Sequence, residues 1–139
     1  MSAPINISLK AGERIYINGA VVRVDRKVSM ELLNDVVFLL EAHVLQAEET
    51  TTPLRQLYFV LQAILMDPKN AQPTLKLFRE VFAPLQATFS SEPVASGLKT
   101  VAGLVDSGRI FDAMRTIRGL FDAEAAIIEP PAGKPSRAA

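Results

Sequence analysis

The first 48 residues of the chain alternate between apolar and polar side chains, the period of two that is typical of half-buried β-strands. The run from Ile5 to Leu9 shows this alternation most clearly. Short apolar runs follow at 28–33 and 36–40 and predict two more strands. We therefore predict a small antiparallel β-rich part over residues 1–50.

A β-hairpin is predicted where Asn18-Gly19 separates two β-rich runs, because both central residues of a type I′ turn need positive φ. Pairing outward from a two-residue loop gives the opposed pairs Ile17–Ala20, Tyr16–Val21, Ile15–Val22 and Arg14–Arg23. One face of the hairpin then carries Ile15, Ile17, Ala20, Val22 and Val24, which predicts a buried face. The other face carries Arg14, Tyr16, Val21 and Arg23.

From residue 51 the apolar residues recur at spacings of three and four, the period of amphipathic helices. Thr52 offers an N-cap and Pro53 a proline at the first helical position. The first helix is expected to stop at Asp67-Pro68. Its predicted buried stripe is Leu54, Leu57, Leu61, Ile64 and Leu65.

Three more helical stretches are predicted along the rest of the chain. Pro73 should open the second, which Pro84 should kink or split. The third begins at Ser91-Glu92-Pro93 and ends at Ser107-Gly108, and the fourth carries the stripe Ile110, Met114, Ile117 and Phe121. These patterns favour an α+β fold in which a bundle of three to five helices over residues 51–128 packs on the β-rich part. The proline-rich tail, residues 129–139, is predicted to be disordered.

Composition narrows the chemistry that the chain can perform. A length of 139 residues suits one compact domain, and the absence of cysteine excludes disulfide scaffolds, zinc–thiolate sites and iron–sulfur clusters. No apolar run approaches the length of a membrane span, and the N-terminus lacks the pattern of a signal peptide. The phosphate-loop, dinucleotide, nucleophile-elbow and zinc-protease motifs are missing. We therefore expect a cytoplasmic protein that is not an enzyme, uses no cofactor and has no membrane partner.

The single histidine, His43, is the weakest of the candidate sites. On a strand, Glu41 would point to the same face, and such a pair is compatible with a metal contact. One histidine without further ligands more often has a structural role. We therefore predict no metal site.

The net charge of zero conceals a segregation of charges along the chain. Residues 1–30 carry five basic and two acidic side chains, whereas residues 31–52 carry five acidic side chains and no Lys or Arg. Residues 53–139 carry ten basic and eight acidic side chains. The basic opening segment permits a local anion-binding face that the overall charge would not suggest.

Arg14, Tyr16 and Arg23 on one hairpin face are the candidates for binding RNA, with Lys10, Arg26 and Lys27 nearby in sequence. Like charges directly opposite on paired strands destabilise each other, and an anionic partner would relieve that repulsion. An aromatic ring beside arginines suits stacking on unpaired bases. An exposed hairpin face with solvated arginines is an equally good interpretation of the residues alone. Arg109, Arg115 and Arg118 could form a second basic strip, which Asp112 and Asp122 would dilute, and a solvated helix face is the favoured interpretation of these residues.

Two blocks of sequence resemble a known family. The run from Ile7 to Val22, ISLKAGERIYINGAVV, looks like the opening of the FlbT family of alphaproteobacterial flagellar regulators. The run from Thr51 to Phe59, TTPLRQLYF, followed by Asp67-Pro68, is similar to the second block of that family. The resemblance covers roughly residues 5–125. A shorter likeness links the Gly12-Glu13 element to the carbon storage regulators, which are small β-rich dimers that bind mRNA leaders.

The resemblance implies a post-transcriptional regulator that associates with the 5′ untranslated region of flagellin mRNA and promotes its degradation or limits its translation. It also implies a small partner protein, FlaF, and adds Arg55 of the second block to the candidate RNA-binding residues. The alternative is a protein-interaction module, or chaperone-like partner of flagellin or FlaF, that acts on the mRNA indirectly. A homo-oligomer is compatible with either hypothesis, since a β-part of this size needs help from the helices or from a second copy.

Overall fold

The structure, a computed structural model, describes residues 5–34 and 36–128. Within these ranges five strands precede five α-helices. The strands are β1 (Ile5–Leu9), β2 (Arg14–Ile17), β3 (Ala20–Arg23), β4 (Val28–Leu32) and β5 (Phe38–Leu40). The helices are α1 (Pro53–Met66), α2 (Ala71–Thr88), α3 (Val94–Asp106), α4 (Ile110–Arg118) and α5 (Phe121–Ile128). The α+β prediction is confirmed, while the predicted disordered tail lies outside the described residues.

The strands form two small antiparallel sheets. β1 pairs with β4, and β2 lies between β3 and β5 in the second sheet. Ile7, Leu9 and Ile15 are buried between the sheets and form a small core of their own. Among the described helices, none is long and apolar enough to cross a membrane.

The β2–β3 hairpin has the register that Asn18-Gly19 predicts. Arg14 lies opposite Arg23, and Tyr16 lies opposite Val21. Both turn residues have positive φ, 47° at Asn18 and 90° at Gly19. A type I′ turn requires this conformation, which explains why the dipeptide fixed the pairing.

Residues 41–49 correct the prediction that strands continue to residue 48. The chain here forms two 3₁₀ turns, Glu41–His43 and Ala47–Glu49. Between them, the side chain of Gln62 on α1 accepts a hydrogen bond from the Leu45 N–H (2.7 Å) and donates one to the Leu45 carbonyl (2.8 Å). A buried side chain of a helix therefore satisfies the backbone groups that a neighbouring strand would otherwise pair.

The helix boundaries follow the predicted signals at α1 and α3. The Thr52 hydroxyl accepts a hydrogen bond from the Arg55 N–H at 3.2 Å and caps α1, which ends before Asp67. α3 ends at Ser107-Gly108, where Gly108 has a φ of 77°. These residues act as the caps and stops that their chemistry predicts.

Two helix predictions need correction. α2 runs through Pro84, so the predicted split is wrong, while the alternative of a kink stays a prediction. Pro84 is exposed, so the carbonyl that its ring leaves without a donor lies on the solvent side. The helix also starts at Ala71, two residues before Pro73. The predicted fourth helix is two helices, because the chain turns at Gly119 and Phe121 begins α5.

The main core lies between the helices and the inner face of the β2–β5 pair. Leu39 of β5 is fully buried there, together with the predicted stripe of α1: Leu54, Leu57, Leu61, Ile64 and Leu65. Tyr16 packs against this core, whereas Ile15 on the opposite face of β2 belongs to the small β-core. β2 is thus covered on both faces. Ala20 and Val22 of β3 are exposed, so the predicted buried face of the hairpin is wrong at these two residues.

Candidate nucleic-acid interface

Arg14 and Arg23 form the centre of the candidate interface. They lie directly opposite each other on paired strands, and both are exposed. Among the described residues, neither has a carboxylate within ion-pair distance. Two unneutralised guanidinium groups on neighbouring strands repel each other, and a phosphate between them would remove that cost.

Tyr16 is less available for stacking than the sequence suggests. Its ring is half-buried because its face of β2 packs on the main core. Val21, its partner across the hairpin, is 63% exposed. The apolar side chain next to the arginines that solvent reaches most freely is therefore Val21 rather than the predicted tyrosine.

Lys10, Arg26 and Lys27 are exposed in the loops that flank the hairpin. Arg26 forms an ion pair with its neighbour Asp25 at 3.1 Å, and this contact lowers the pKa of the Asp25 carboxyl. Such a pair on the surface is worth little, so Arg26 can exchange its partner for a phosphate. These three residues extend the positive charge around the two arginines and do not form a separate binding site.

An acidic side chain lies at the same end of the hairpin. The Glu41 carboxylate accepts a hydrogen bond of 2.7 Å from the backbone N–H of Arg14, at the point where the pairing of β2 with β5 ends. It satisfies a backbone donor and also brings a negative charge close to the arginine. The positive potential of this end is consequently moderate.

The sequence did not reveal Arg118 as part of this end of the molecule. The 3₁₀ turn that holds Glu41 also holds His43, whose carbonyl accepts hydrogen bonds from the Tyr58 hydroxyl at 2.5 Å and from Arg118 at 3.1 Å. The Arg118 guanidinium also donates to the Tyr58 oxygen at 2.6 Å and lies 4.9 Å from the centre of its ring. One short turn thus links the Arg14 end of the hairpin to a well-anchored arginine of α4.

His43 is held in an apolar setting next to this arginine. Its ring packs edge-on against Phe111 at 5.6 Å, and its Nδ1 is buried with no hydrogen-bond partner in the described part of the chain. Burial lowers the pKa of the His43 imidazole, and the charge of Arg118 lowers it further. No group of three or more potential metal ligands lies within residues 5–34 and 36–128, and Glu41 and His43 share a turn rather than a strand face.

The remaining arginines of the helices differ in how free their charges are. The Arg55 guanidinium lies 4.4 Å from the centre of the Phe121 ring, a cation–π contact that leaves its charge without a carboxylate among the described residues. Arg109 and Arg115 both bind Asp112, at 2.7 and 3.0 Å. The predicted dilution of this basic strip by Asp112 is therefore present in the structure.

A second candidate surface is an apolar groove of about 800 Å³ between β5, the end of α1 and the start of α4. Phe38 and Phe111 stack across it at 6.4 Å. The other large apolar side chains that line it are Ile5, Val36, Val37, Ile64, Leu65 and Ile110. Arg109 and Asp112 supply charged groups at its rim.

The fold and these two surfaces define a small α+β protein with a basic strand end and an apolar groove. The chain matches the family model described as "Flagellar protein FlbT" over residues 5–128, and it therefore belongs to the FlbT family. The resemblance that the two sequence blocks indicated is confirmed.

Three matching relatives carry the name of the same family. The chain is 55% identical over 124 residues to a "Probable flagellum biosynthesis repressor protein FlbT" of Rhizobium johnstonii, covering 89% of this chain and 83% of the relative. It is 52% identical to relatives of the same name in Chelativorans sp. over 128 residues (92% and 88% covered) and in Brucella ovis over 124 residues (89% and 82% covered). No solved structure matches the chain. The protein is accordingly a regulator of flagellum biosynthesis.

Proposed function

We propose that this protein acts after transcription, in the cytoplasm, by associating with the 5′ untranslated region of flagellin mRNA and promoting its degradation or limiting its translation. The observation that carries the proposal is the pair Arg14–Arg23, two exposed guanidinium groups directly opposite each other with no ion pair in the described chain. Folding has placed repelling charges side by side, and a polyanion resolves that repulsion.

The surroundings of this pair fit a single-stranded, flexible ligand. Val21 offers an apolar surface next to Arg23, and the half-buried Tyr16 on the same face is the aromatic side chain available to a base. Lys10 and Lys27 extend the positive charge along the loops. Unpaired bases of an mRNA leader can reach such a shallow site, whereas a duplex presents its bases inside the grooves.

The same charges set the expected strength of binding. The acidic stretch of residues 31–52 and the Glu41 carboxylate next to Arg14 limit the positive potential. Each phosphate contact on single-stranded RNA contributes about −0.7 to the slope of log K against log salt. We therefore expect modest affinity with a clear but shallow dependence on salt, which a partner such as FlaF would supplement.

The apolar groove supports a second candidate function, that of a protein-interaction module or chaperone-like partner. A groove lined by Phe38, Phe111 and Ile110 with one charged pair at its rim suits an amphipathic segment of another protein. Flagellin or FlaF would then be the ligand, and the effect on mRNA would be indirect.

Direct binding of the full chain to a flagellin leader RNA and to flagellin, side by side over a salt series, separates the two functions. Nucleic-acid binding predicts a shift of the RNA that weakens steadily as salt rises, with no requirement for protein partners. Binding of flagellin in nuclease-treated samples, with no interaction with the purified leader, would replace the first function by the second. If flagellin binds in the groove, Phe111→Ser should weaken flagellin binding and leave RNA binding unchanged.

A further inference from the structure

β3 is an edge strand that the described part of the chain leaves open. β2 is its single neighbour in the sheet, and all four of its residues are exposed. The exposed residues of β1 and β4 are polar, namely Asn6, Ser8, Ser29 and Glu31. β3 instead exposes Val21 and Val22, and open apolar edges are the ones that recruit another strand.

The hydrogen bonding of the hairpin shows which backbone groups face this open edge. The Val24 N–H donates to the Glu13 carbonyl, so Val24 points toward β2. Backbone groups alternate along a strand, and Ala20 and Val22 therefore also face β2, whereas the N–H and carbonyl of Val21 and Arg23 point outward. On β2, the N–H groups of Arg14 and Asn18 point to the side away from β3, where they donate to the Glu41 carboxylate and to the Val37 carbonyl. This direction agrees with the same alternation.

We propose that β3 is the edge through which two copies of this chain pair, antiparallel, with Val22 on the two-fold axis. In this register Val21 of each copy pairs with Arg23 of the other, and their outward groups form four backbone hydrogen bonds. The two Val22 side chains meet directly, at the close spacing of a non-hydrogen-bonded pair. An identical strand thus satisfies all four outward groups of Val21 and Arg23, and neither arginine lies opposite its own copy.

Charged residues also lie next to the edge in the same register. The small cavity beside Asn18–Ala20 is lined by Asp67 and Lys69 of the connection between α1 and α2. Continued pairing brings the oppositely charged neighbours Asp25 and Arg26 of the second copy toward this cavity. Asp25 and Arg26 already form an ion pair at 3.1 Å, so each copy brings a neutralised pair, not an unbalanced charge, to Asp67 and Lys69 of the other.

The pairing is of moderate strength and does not depend on RNA. Two four-residue strands cover less surface than the roughly 1,200 Å² of a standard stable interface. Monomer and dimer should therefore exchange, and the average mass should rise with protein concentration from the 15.1 kDa of one chain. Both arginine pairs lie on the same sheet face of this dimer, and their mutual repulsion is one reason why the pairing is only moderate. Its formation is measured without any nucleic acid.

The absence of cysteine from the chain makes a cross-linking test possible. We expect Val22→Cys to form a disulfide-linked dimer under mild oxidation, because the two-fold axis brings the two sulfurs together at the spacing of a disulfide. In the same register the two Val21 positions are not directly opposite but offset along the paired strands, so the sulfurs of Val21→Cys lie farther apart and should cross-link far less. Leu33→Cys, at a side chain that is 74% exposed, measures cross-linking by random collision. Faster linkage of Val21→Cys than of Val22→Cys would overturn the register.

Sedimentation of the full chain over a concentration series tests the dimer itself. Val22→Lys places two like charges on the axis and should stay monomeric, while Leu33→Lys should associate like the unmodified chain. Circular dichroism checks that both variants are folded. A mass that stays at one chain at every concentration would overturn the proposal, and so would a dimer that Val22→Lys leaves intact. Neither result would bear on RNA binding, so the two proposals fail separately.

Discussion

The Glu124 carboxylate on α5 accepts a hydrogen bond of 2.8 Å from the backbone N–H of Leu54, 70 residues earlier in the chain. Leu54 lies in the first turn of α1, where backbone donors have no partner within the helix. Glu124 is 1% exposed, so this capping contact is made away from water. The last described helix therefore closes the start of the first one and links the two ends of the bundle.

Replacement of Glu124 by Ala should lower the free energy of unfolding by about 1–3 kcal/mol, because it leaves a buried N–H without an acceptor. Glu124→Gln keeps an acceptor oxygen and should lose less. Glu80→Ala, at an exposed position of α2, is the matched control and should change stability little. Chemical denaturation checks all three, and equal stability of Glu124→Ala and Glu80→Ala would remove the capping role.

The lowered pKa of His43 makes folding stability depend on pH. The unfolded chain binds a proton near its ordinary pKa of about 6.5, whereas the folded chain resists protonation because of burial and Arg118. The contribution of neutral His43 to the free energy of unfolding is therefore fully present above that pH. It declines as the pH falls below it, because the unfolded state then binds more protons than the folded state. Because the chain has one histidine, its imidazole NMR signals report the titration directly.

We expect a His43 titration midpoint below that of a free histidine. Arg118→Gln should move the midpoint upward but not fully restore it, since burial is the larger cause. Lys99→Gln, an exposed position of α3, removes the same charge elsewhere and should leave the midpoint in place. A midpoint above the ordinary value in the unmodified chain would contradict the environment described for His43.

The two glycines inside α3 should respond differently to alanine. A Cβ at Gly103 would meet no atom within 4 Å, so Gly103→Ala gains helix propensity and should stabilise the protein by about 0.5–1 kcal/mol. A Cβ at Gly97 would lie 2.5 Å from a methyl carbon of Leu120, which is buried. Gly97→Ala should therefore gain less or lose stability. Thermal unfolding compares the two variants, and a larger gain at Gly97 would show that Leu120 moves freely.

Local sequence signals predicted most of the fold. Asn18-Gly19 fixed the hairpin register because the turn type determines it, and Thr52-Pro53 and Ser107-Gly108 marked helix ends by capping chemistry. The signals failed where a distant group decides the local structure. Between the 3₁₀ turns after β5, the Gln62 side chain pairs with the backbone of Leu45, and the division between α4 and α5 follows a turn at Gly119 that the apolar spacing does not show.

The candidate site was predictable in its arginines but not in its surroundings. Opposition of Arg14 and Arg23 follows from the register, which the sequence contains. The sequence does not show which face of β2 packs on the helices, because both faces carry apolar side chains. In the structure the helices pack on the Tyr16 face. Arg118 is exposed, as a solvated helix face predicts. Its contacts with Tyr58 and His43 do not follow from the sequence, because these partners come from two other segments of the chain.

We propose that the Arg14–Arg23 pair binds the phosphates of an mRNA leader. The most direct measurement is the salt dependence of leader binding by the double variant Arg14→Ala/Arg23→Ala, with Lys76→Ala/Lys99→Ala as a control that removes the same charge from exposed positions of α2 and α3. We predict that the arginine variant binds the leader more weakly and that its slope of log K against log salt is shallower by about 1.4, which corresponds to the loss of two phosphate contacts. The lysine variant should bind like the unmodified chain. Unchanged affinity and slope in the arginine variant would contradict the claim.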